Sequence, residues 1–302
     1  MDGLLIIDKP AGLTSHDVVA RVRRILKTKR VGHTGTLDPL ATGVMVILIG
    51  QATRLARFLD KDEKEYEAVI QFGFETDTGD LTGVRSAECG LGNEELAELL
   101  TKVNWDQILM KFRGELMQIP PMYSAKKVEG RKLYELARKG VTIERQPISV
   151  TIKQLDIVDE PEVHATRYTL RIKVICSAGT YIRTLAEDIG RVVGVGAHLA
   201  ELRRTRAGRF DLSRAVTLTD LEKIPDPASI IIPMSEAVVH LPQVILSEDR
   251  ISKTKNGMSS RFLDVVFADG DTVRMIDANA DLIAIGIYRA DEKTVQPKVV
   301  LG

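Results

Sequence analysis

The chain has 302 residues, 44% hydrophobic and 28% charged, and its 42 Lys and Arg are balanced by 42 Asp and Glu. That composition suits a folded, soluble chain with room for one large domain and one small one, and it excludes a disordered or fibrous chain. Only Cys89 and Cys176 occur, far apart, which excludes a disulfide framework and a Cys-based zinc site and points to a reducing cytoplasm. No stretch approaches the roughly 20 apolar residues that span a bilayer, and the opening run MDGLLIIDKP does not read as a secretory signal.

In chain order, Gly3–Asp8 reads as a short buried strand ending at Lys9-Pro10. Thr14 or Ser15 caps a helix that carries Val18, Val22 and Ile25 on one face and runs to about Leu26. The Gly-rich segment 32–43 is followed by an apolar strand, Val44–Ile49. Tyr66, Ala68, Ile70 and Phe72 alternate as in a half-buried strand, and Asn93 is expected to cap a helix reaching about Val103. A short helix, Leu133–Arg138, closes at Gly140, and Tyr168–Cys176 alternates as the clearest strand. The next helix is expected to start near Thr180 and end near Gly190. These elements predict an α+β chain with a mixed sheet.

Prolines 225, 227, 233 and 242 mark a change of composition. Beyond them the sequence predicts a helix from Ser247 to about Asn256, then strands around Arg261–Phe267, Asp271–Ile276 and Leu282–Tyr288. The expected division is a domain over 1–235 and a small β-rich domain over 240–302, near the lower size limit for independent stability.

Chemistry is best sought in Gly32-His33-Thr34-Gly35-Thr36-Leu37-Asp38-Pro39-Leu40-Ala41-Thr42-Gly43, a tightly turned loop with a lone carboxylate just before a buried strand. Asp38-Pro39 taken alone is an ordinary turn, with the Asp bonding local backbone. Phosphate-loop and dinucleotide spacings are missing, as are HExxH, an EF-hand and a second nearby carboxylate of the glycosidase kind. No metal and no cofactor is expected. Basic residues cluster three times, at Arg21–Arg30, at Lys126–Lys132 and at Arg203–Arg209. Acidic runs at Asp60–Glu67 and Asp156–Glu162 balance them, which predicts one positive face for a phosphate backbone.

The segments GLLIIDKPAGLTSHDVV, GHTGTLDPLATG, EYEAVIQFG with TDTGDLTG, PPMYSAKKVEGRKLYELARKG and CSAGTYIRTLAEDIG stand in the order found in the TruB family of pseudouridine synthases. The chain is similar to that family over about residues 3–210, and its C-terminal part resembles a short PUA-type RNA-binding barrel. The resemblance implies a pseudouridine synthase fold: a mixed, mainly antiparallel sheet with flanking helices around a central RNA-binding cleft. It implies conversion of a uridine in the T-loop of tRNA, at position 55, by a monomer that works in the cytoplasm without a cofactor or an obligatory protein partner. The base leaves the stack, the base–ribose C–N bond breaks, and the uracil rejoins through carbon.

By the same resemblance Asp38 is the catalytic carboxylate, either attacking the nucleotide or removing a sugar proton. Tyr66 stacks on the flipped uracil, and Arg183 pairs with Asp38 and is expected to lower its pKa. Tyr181 and Leu202 line the pocket, His33 wedges into the T-loop, and Lys9 supports the active-site loop. Ala178 departs from the Lys or Ser common at that place, which removes a polar RNA contact rather than chemistry. Two rivals keep the scaffold: a guide-RNA-dependent enzyme of the dyskerin type, and a non-catalytic tRNA-binding or folding protein.

Overall fold

The computed structural model describes residues 1–301 apart from 125, 129, 160, 165 and 166, and for residues 127, 132, 162–164 and 167 it describes the backbone alone. The elements run β1 (Gly3–Lys9), α1 (Ser15–Ile25), β2 (Val31–His33), β3 (Thr42–Ile49), α2 (Ala56–Leu59), β4 (Lys64–Phe72), β5 (Phe74–Thr76) and β6 (Arg85–Glu88). They continue with α3 (Asn93–Thr101), α4 (Trp105–Met110), β7 (Gly114–Gln118), β8 (Lys127–Val128), β9 (Arg131–Lys132), α5 (Leu133–Ala137), β10 (Ile148–Ile157), β11 (Glu162–His164) and β12 (Arg167–Cys176). Then come α6 (Ile182–Val193), β13 (Ala197–Ala207), β14 (Phe210–Asp211), β15 (Val216–Thr217), α7 (Leu218–Lys223) and α8 (Met234–Ala237). Last are β16 (Gln243–Ile245), α9 (Glu248–Lys255), β17 (Ser260–Arg261), β18 (Thr272–Ile276), β19 (Leu282–Arg289) and β20 (Thr294–Val300).

The main sheet has the order β15-β1-β3-β13-β4-β12-β10-β7, with β2, β14 and β11 attached at its sides. Its pairings are antiparallel except β15 on β1 and β3 on β13. This is the mixed, mainly antiparallel sheet expected. A second sheet, β16-β18-β19-β20-β17, carries the C-terminal residues. The two share one apolar cluster, in which Ile276, Leu282, Ile285, Val299 and Leu301 pack with Leu4, Ile6, Val44 and Val46.

Local chemistry accounts for most boundaries. Thr14 caps α1 in a reciprocal box with Asp17. The cap of α3 is Gly92 rather than Asn93, because Glu95 reaches back to accept the Gly92 N–H, and α3 stops at Thr101 with α4 following. The helix expected at Thr180–Gly190 runs instead over Ile182–Val193. Tyr181 is its extended N-cap residue, and Gly194 at φ +89° ends it. Gly190 sits inside that helix because a Cβ there would lie 2.4 Å from the Ala197 nitrogen, so glycine lets α6 lie against β13. Strand β4 lies in the interior of the sheet between β13 and β12, and toward its end it is buried on both faces, Val69 and Gln71 included. The strand expected over Arg261–Phe267 shrinks to Ser260–Arg261, and β7, β10, β13 and β20 arise over residues with no clean alternation.

Candidate active site

The Gly-rich loop is held from four directions. The Ser15 hydroxyl donates to the Leu37 carbonyl at 3.0 Å and accepts the Leu37 N–H at 2.8 Å. Gly12 N–H donates to the Pro39 carbonyl at 2.8 Å, and Ala41 N–H closes a turn on the Asp38 carbonyl at 3.1 Å. Lys9, fully buried at the end of β1, donates Nζ to Pro10 and Pro39 carbonyls at 2.8 and 3.3 Å. From β13, Arg204 donates to the Gly35 carbonyl at 3.2 Å and the Val44 carbonyl at 2.7 Å. A loop bound this way holds one side chain in a fixed place.

That side chain is Asp38. Its Oδ2 lies 3.0 Å from Arg183 Nε. Arg183 is the second residue of α6, yet it points inward and is only 6% exposed. It donates Nη1 to the Thr78 carbonyl at 2.9 Å and Nη2 to the Tyr123 carbonyl at 2.7 Å, and Nη1 lies 3.8 Å from Asp80 Oδ2. Asp80 is fixed in turn by the Thr78 hydroxyl and by the Thr82 N–H and hydroxyl. About 33% of the Asp38 side chain is open to the cleft, but protein packed around its other sides removes enough water to push its carboxyl above the usual range. The Arg183 guanidinium opposes that shift and Asp80 reinforces it. The lowered pKa expected from the ion pair is therefore corrected: desolvation outweighs pairing here. Burial likewise pushes the Lys9 ammonium down to about 8, against the pull of Asp38.

These groups open on a cleft of about 230 Å³, lined by Gly35–Asp38, Tyr66, Ala178–Arg183, Leu202 and Arg204 among others. Facing residues of antiparallel neighbours share one side of a sheet. Arg204 pairs with Tyr66 and Leu202 with Ala68, so β13 and β4 present Arg204, Leu202 and Tyr66 together. Tyr66 is buried, its hydroxyl pushed up by desolvation and met by Arg204. Tyr181 is held at the mouth of α6 by Gln118, whose amide accepts its N–H and donates to its carbonyl. Of the seven residues singled out from the sequence, Asp38, Tyr66, Arg183, Tyr181 and Leu202 line the cleft, and Lys9 braces the loop from behind. His33 stands beside it on β2, its ring 6.1 Å from that of His16. Burial pushes its imidazole down.

Sequence reasoning missed Ser15, Lys64, Asp80 and Arg204 as site residues. Lys64 had a signal, since it precedes Tyr66 by two in a strand and so shares its face. Arg204 had none until β13 was known. Part of the third basic group is occupied internally: Arg203 pairs with Asp8, Arg206 with Glu63 and Glu65, and Arg204 is buried, while Arg209 is exposed. In the first group Arg21 and Arg24 lie against Glu222, and Arg23, Arg24, Lys27, Lys29 and Arg30 are exposed. The side chains of Lys127, Lys132, Glu160 and Glu162 lie outside the described residues. Among the described residues no cluster of His, Cys, Asp and Glu could hold a metal ion, and no helix is long and apolar enough to cross a membrane.

The TruB family pseudouridylate synthase N-terminal domain matches residues 23–182, more than half of the chain. This chain belongs to the TruB family. The tRNA pseudouridylate synthase B C-terminal domain follows over residues 183–239. Proteins named tRNA pseudouridine synthase B are 42% identical in Solibacter usitatus, over 95% of both chains, and 41% identical in Heliobacterium modesticaldum, over 99% of this chain and 95% of that one. A chain of a solved Cbf5-Nop10-Gar1 complex superposes with a TM-score of 0.70 at 27% identity, covering 99% of this chain and 85% of that one. The cleft just described is thus found in a TruB-family chain, with Asp38 and Arg183 3.0 Å apart in it.

Proposed function

We infer that this protein isomerises uridine to pseudouridine in tRNA, at position 55 of the T-loop. The observation that carries the reading is the Asp38–Arg183 pair at 3.0 Å, open to the cleft beside Tyr66, in a chain of this family. A pure binder has no use for a carboxylate whose burial is opposed by its own arginine. The target base is stacked in RNA and must leave the stack, at about a few kcal/mol. Tyr66 gives it an aromatic face, Leu202 and Tyr181 close around it, and His33, at the cleft's edge, fills the gap left in the loop. Asp38 then either attacks the nucleotide or takes a sugar proton, and both routes release the base from the ribose. Arg183 favours the ionised form of Asp38 against its burial and aims it. Lys9 keeps the loop in place through its two carbonyl bonds.

We place the protein in the cytoplasm as a monomer that needs no partner. The test is pseudouridine mapping of tRNA treated with the wild type and with Asp38→Asn. Conversion by the wild type alone supports the reading, and equal conversion by both ends it. The likeness to a chain of a Cbf5-Nop10-Gar1 complex is the observation behind a guide-dependent reading. Activity of the purified chain on a bare T-stem-loop would exclude it.

A further inference from the structure

Two cations on the Tyr66 side of the cleft are in no ion pair among the described residues, although Asp60 lines the cleft with them. Lys64 is 5% exposed and donates to the Asp62 carbonyl, while Arg204 is 1% exposed and donates to the Val44 and Gly35 carbonyls. Neither forms an ion pair among the described residues. Buried cations are ordinarily paired with acids, because an unpaired charge is costly to desolvate. Burial pushes the Lys64 ammonium down to about 8, with Asp62 and Asp60 pulling the other way and Arg204 adding to the fall. Lys64 and Arg204 both line the cleft. On the opposite side the ionised groups already answer one another, Asp38 and Asp80 around Arg183.

The reaction itself makes the missing anion. When the C1′–N1 bond breaks, by either route for Asp38, the electron pair stays on N1 and spreads to O2 and O4. The turned ring then gives a pair from C5 to C1′, as the Asp38–C1′ ester bond breaks in the first route or as C2′ takes its proton back from Asp38 in the second; C5 then loses its proton to water and N1 takes one up. Between those events the detached uracil carries a full negative charge in a low-dielectric cleft.

We propose that the Lys64 ammonium, backed by Arg204, stabilises the uracil anion while the base is detached from the ribose. The inference rests on the pseudouridine-forming reading above. Preorganised charge aimed at a developing anion is an effective form of catalysis. A strand phosphate is the less favoured ligand, because Lys64 lies buried two residues from Tyr66 on the same strand face.

Single-turnover conversion and RNA affinity of Lys64→Met, Lys64→Gln and Lys64→Arg on a T-stem-loop test this. Lys64→Met and Lys64→Gln should slow conversion about 100-fold while affinity stays within about twofold, and Lys64→Arg should regain about tenfold. On RNA carrying 5-fluorouridine at the target, whose base anion is intrinsically more stable, the defect in base detachment should shrink to below about tenfold. Equal defects on both RNAs overturn the proposal. So does weakened affinity with an unchanged rate at saturating RNA, the mark of a phosphate contact. Loss of folding in all three variants, seen as lost RNA affinity and cooperative melting, would assign Lys64 a structural role and overturn it too. Asp38→Asn, run in parallel, is expected to be inactive on both RNAs. Activity there would remove the functional reading without deciding the role of Lys64.

Discussion

Asp38 is held where its charge is hardest to keep. Its folded pKa lies above its unfolded value, so ionisation costs stability above the folded pKa, and that cost disappears as pH falls through it. Asp38→Asn removes the cost, so it should abolish conversion while leaving the melting temperature equal or higher; a clear fall in melting temperature would contradict this. Because the working form is the carboxylate, kcat/KM should rise with pH through an acid limb above the ordinary Asp value of about 3.9. A pH–rate profile of the wild type measures it. Lys9 carries the opposite charge, and its pH dependence has the opposite sign. Its folded pKa of about 8 lies below the usual lysine value of 10.5, so stability should rise between those values as the unfolded chain alone keeps the proton. Lys9→Met loses two carbonyl bonds that hold the loop, and kcat should fall about tenfold or more, read by single-turnover conversion.

At the scale of elements, β13 decides the site. It pairs with β4 on one side and with β3 on the other, and its register shifts between Leu199 and Glu201 and again between Arg204 and Arg206. The close approach of β3 depends on Gly43, at φ +99°, where a Cβ would fall 2.1 Å from the Arg204 carbonyl. Gly43→Ala should therefore destabilise by about 3 kcal/mol or more in urea unfolding and impair conversion, since it moves the strand that carries Arg204 and Leu202. The helix α6 contributes by its start. Tyr181, capped by Gln118, turns the chain so that Arg183 points inward rather than onto the surface.

Across the whole molecule, the two sheets share an apolar cluster. Truncation after residue 240 would remove Ile276, Leu282, Ile285, Val299 and Leu301 from that cluster. The shortened protein should melt at a lower temperature and bind hydrophobic dye, measured by thermal unfolding; an unchanged melting temperature would show that the contact contributes nothing. Whether 240–302 acts as an RNA-binding domain of its own is a proposal that RNA affinity of the same truncation tests. With Arg203, Arg204 and Arg206 of the third group tied up internally, the salt dependence of binding should be shallower than three free basic groups predict.

The sequence by itself determined what could be read from local patterns. These include the capped α1, the alternation around Tyr66 and Tyr168, and the glycine-rich loop with its single carboxylate. The ordered motifs that resemble the TruB family also belong here. Only the tertiary structure decided how the arginines are buried: Arg183 and Arg204 are both enclosed because loops and a strand distant in sequence supply their carbonyl and carboxylate partners. The direction of the Asp38 shift was decided there too. Desolvation depends on everything packed around a group, while a motif names only the group's partner.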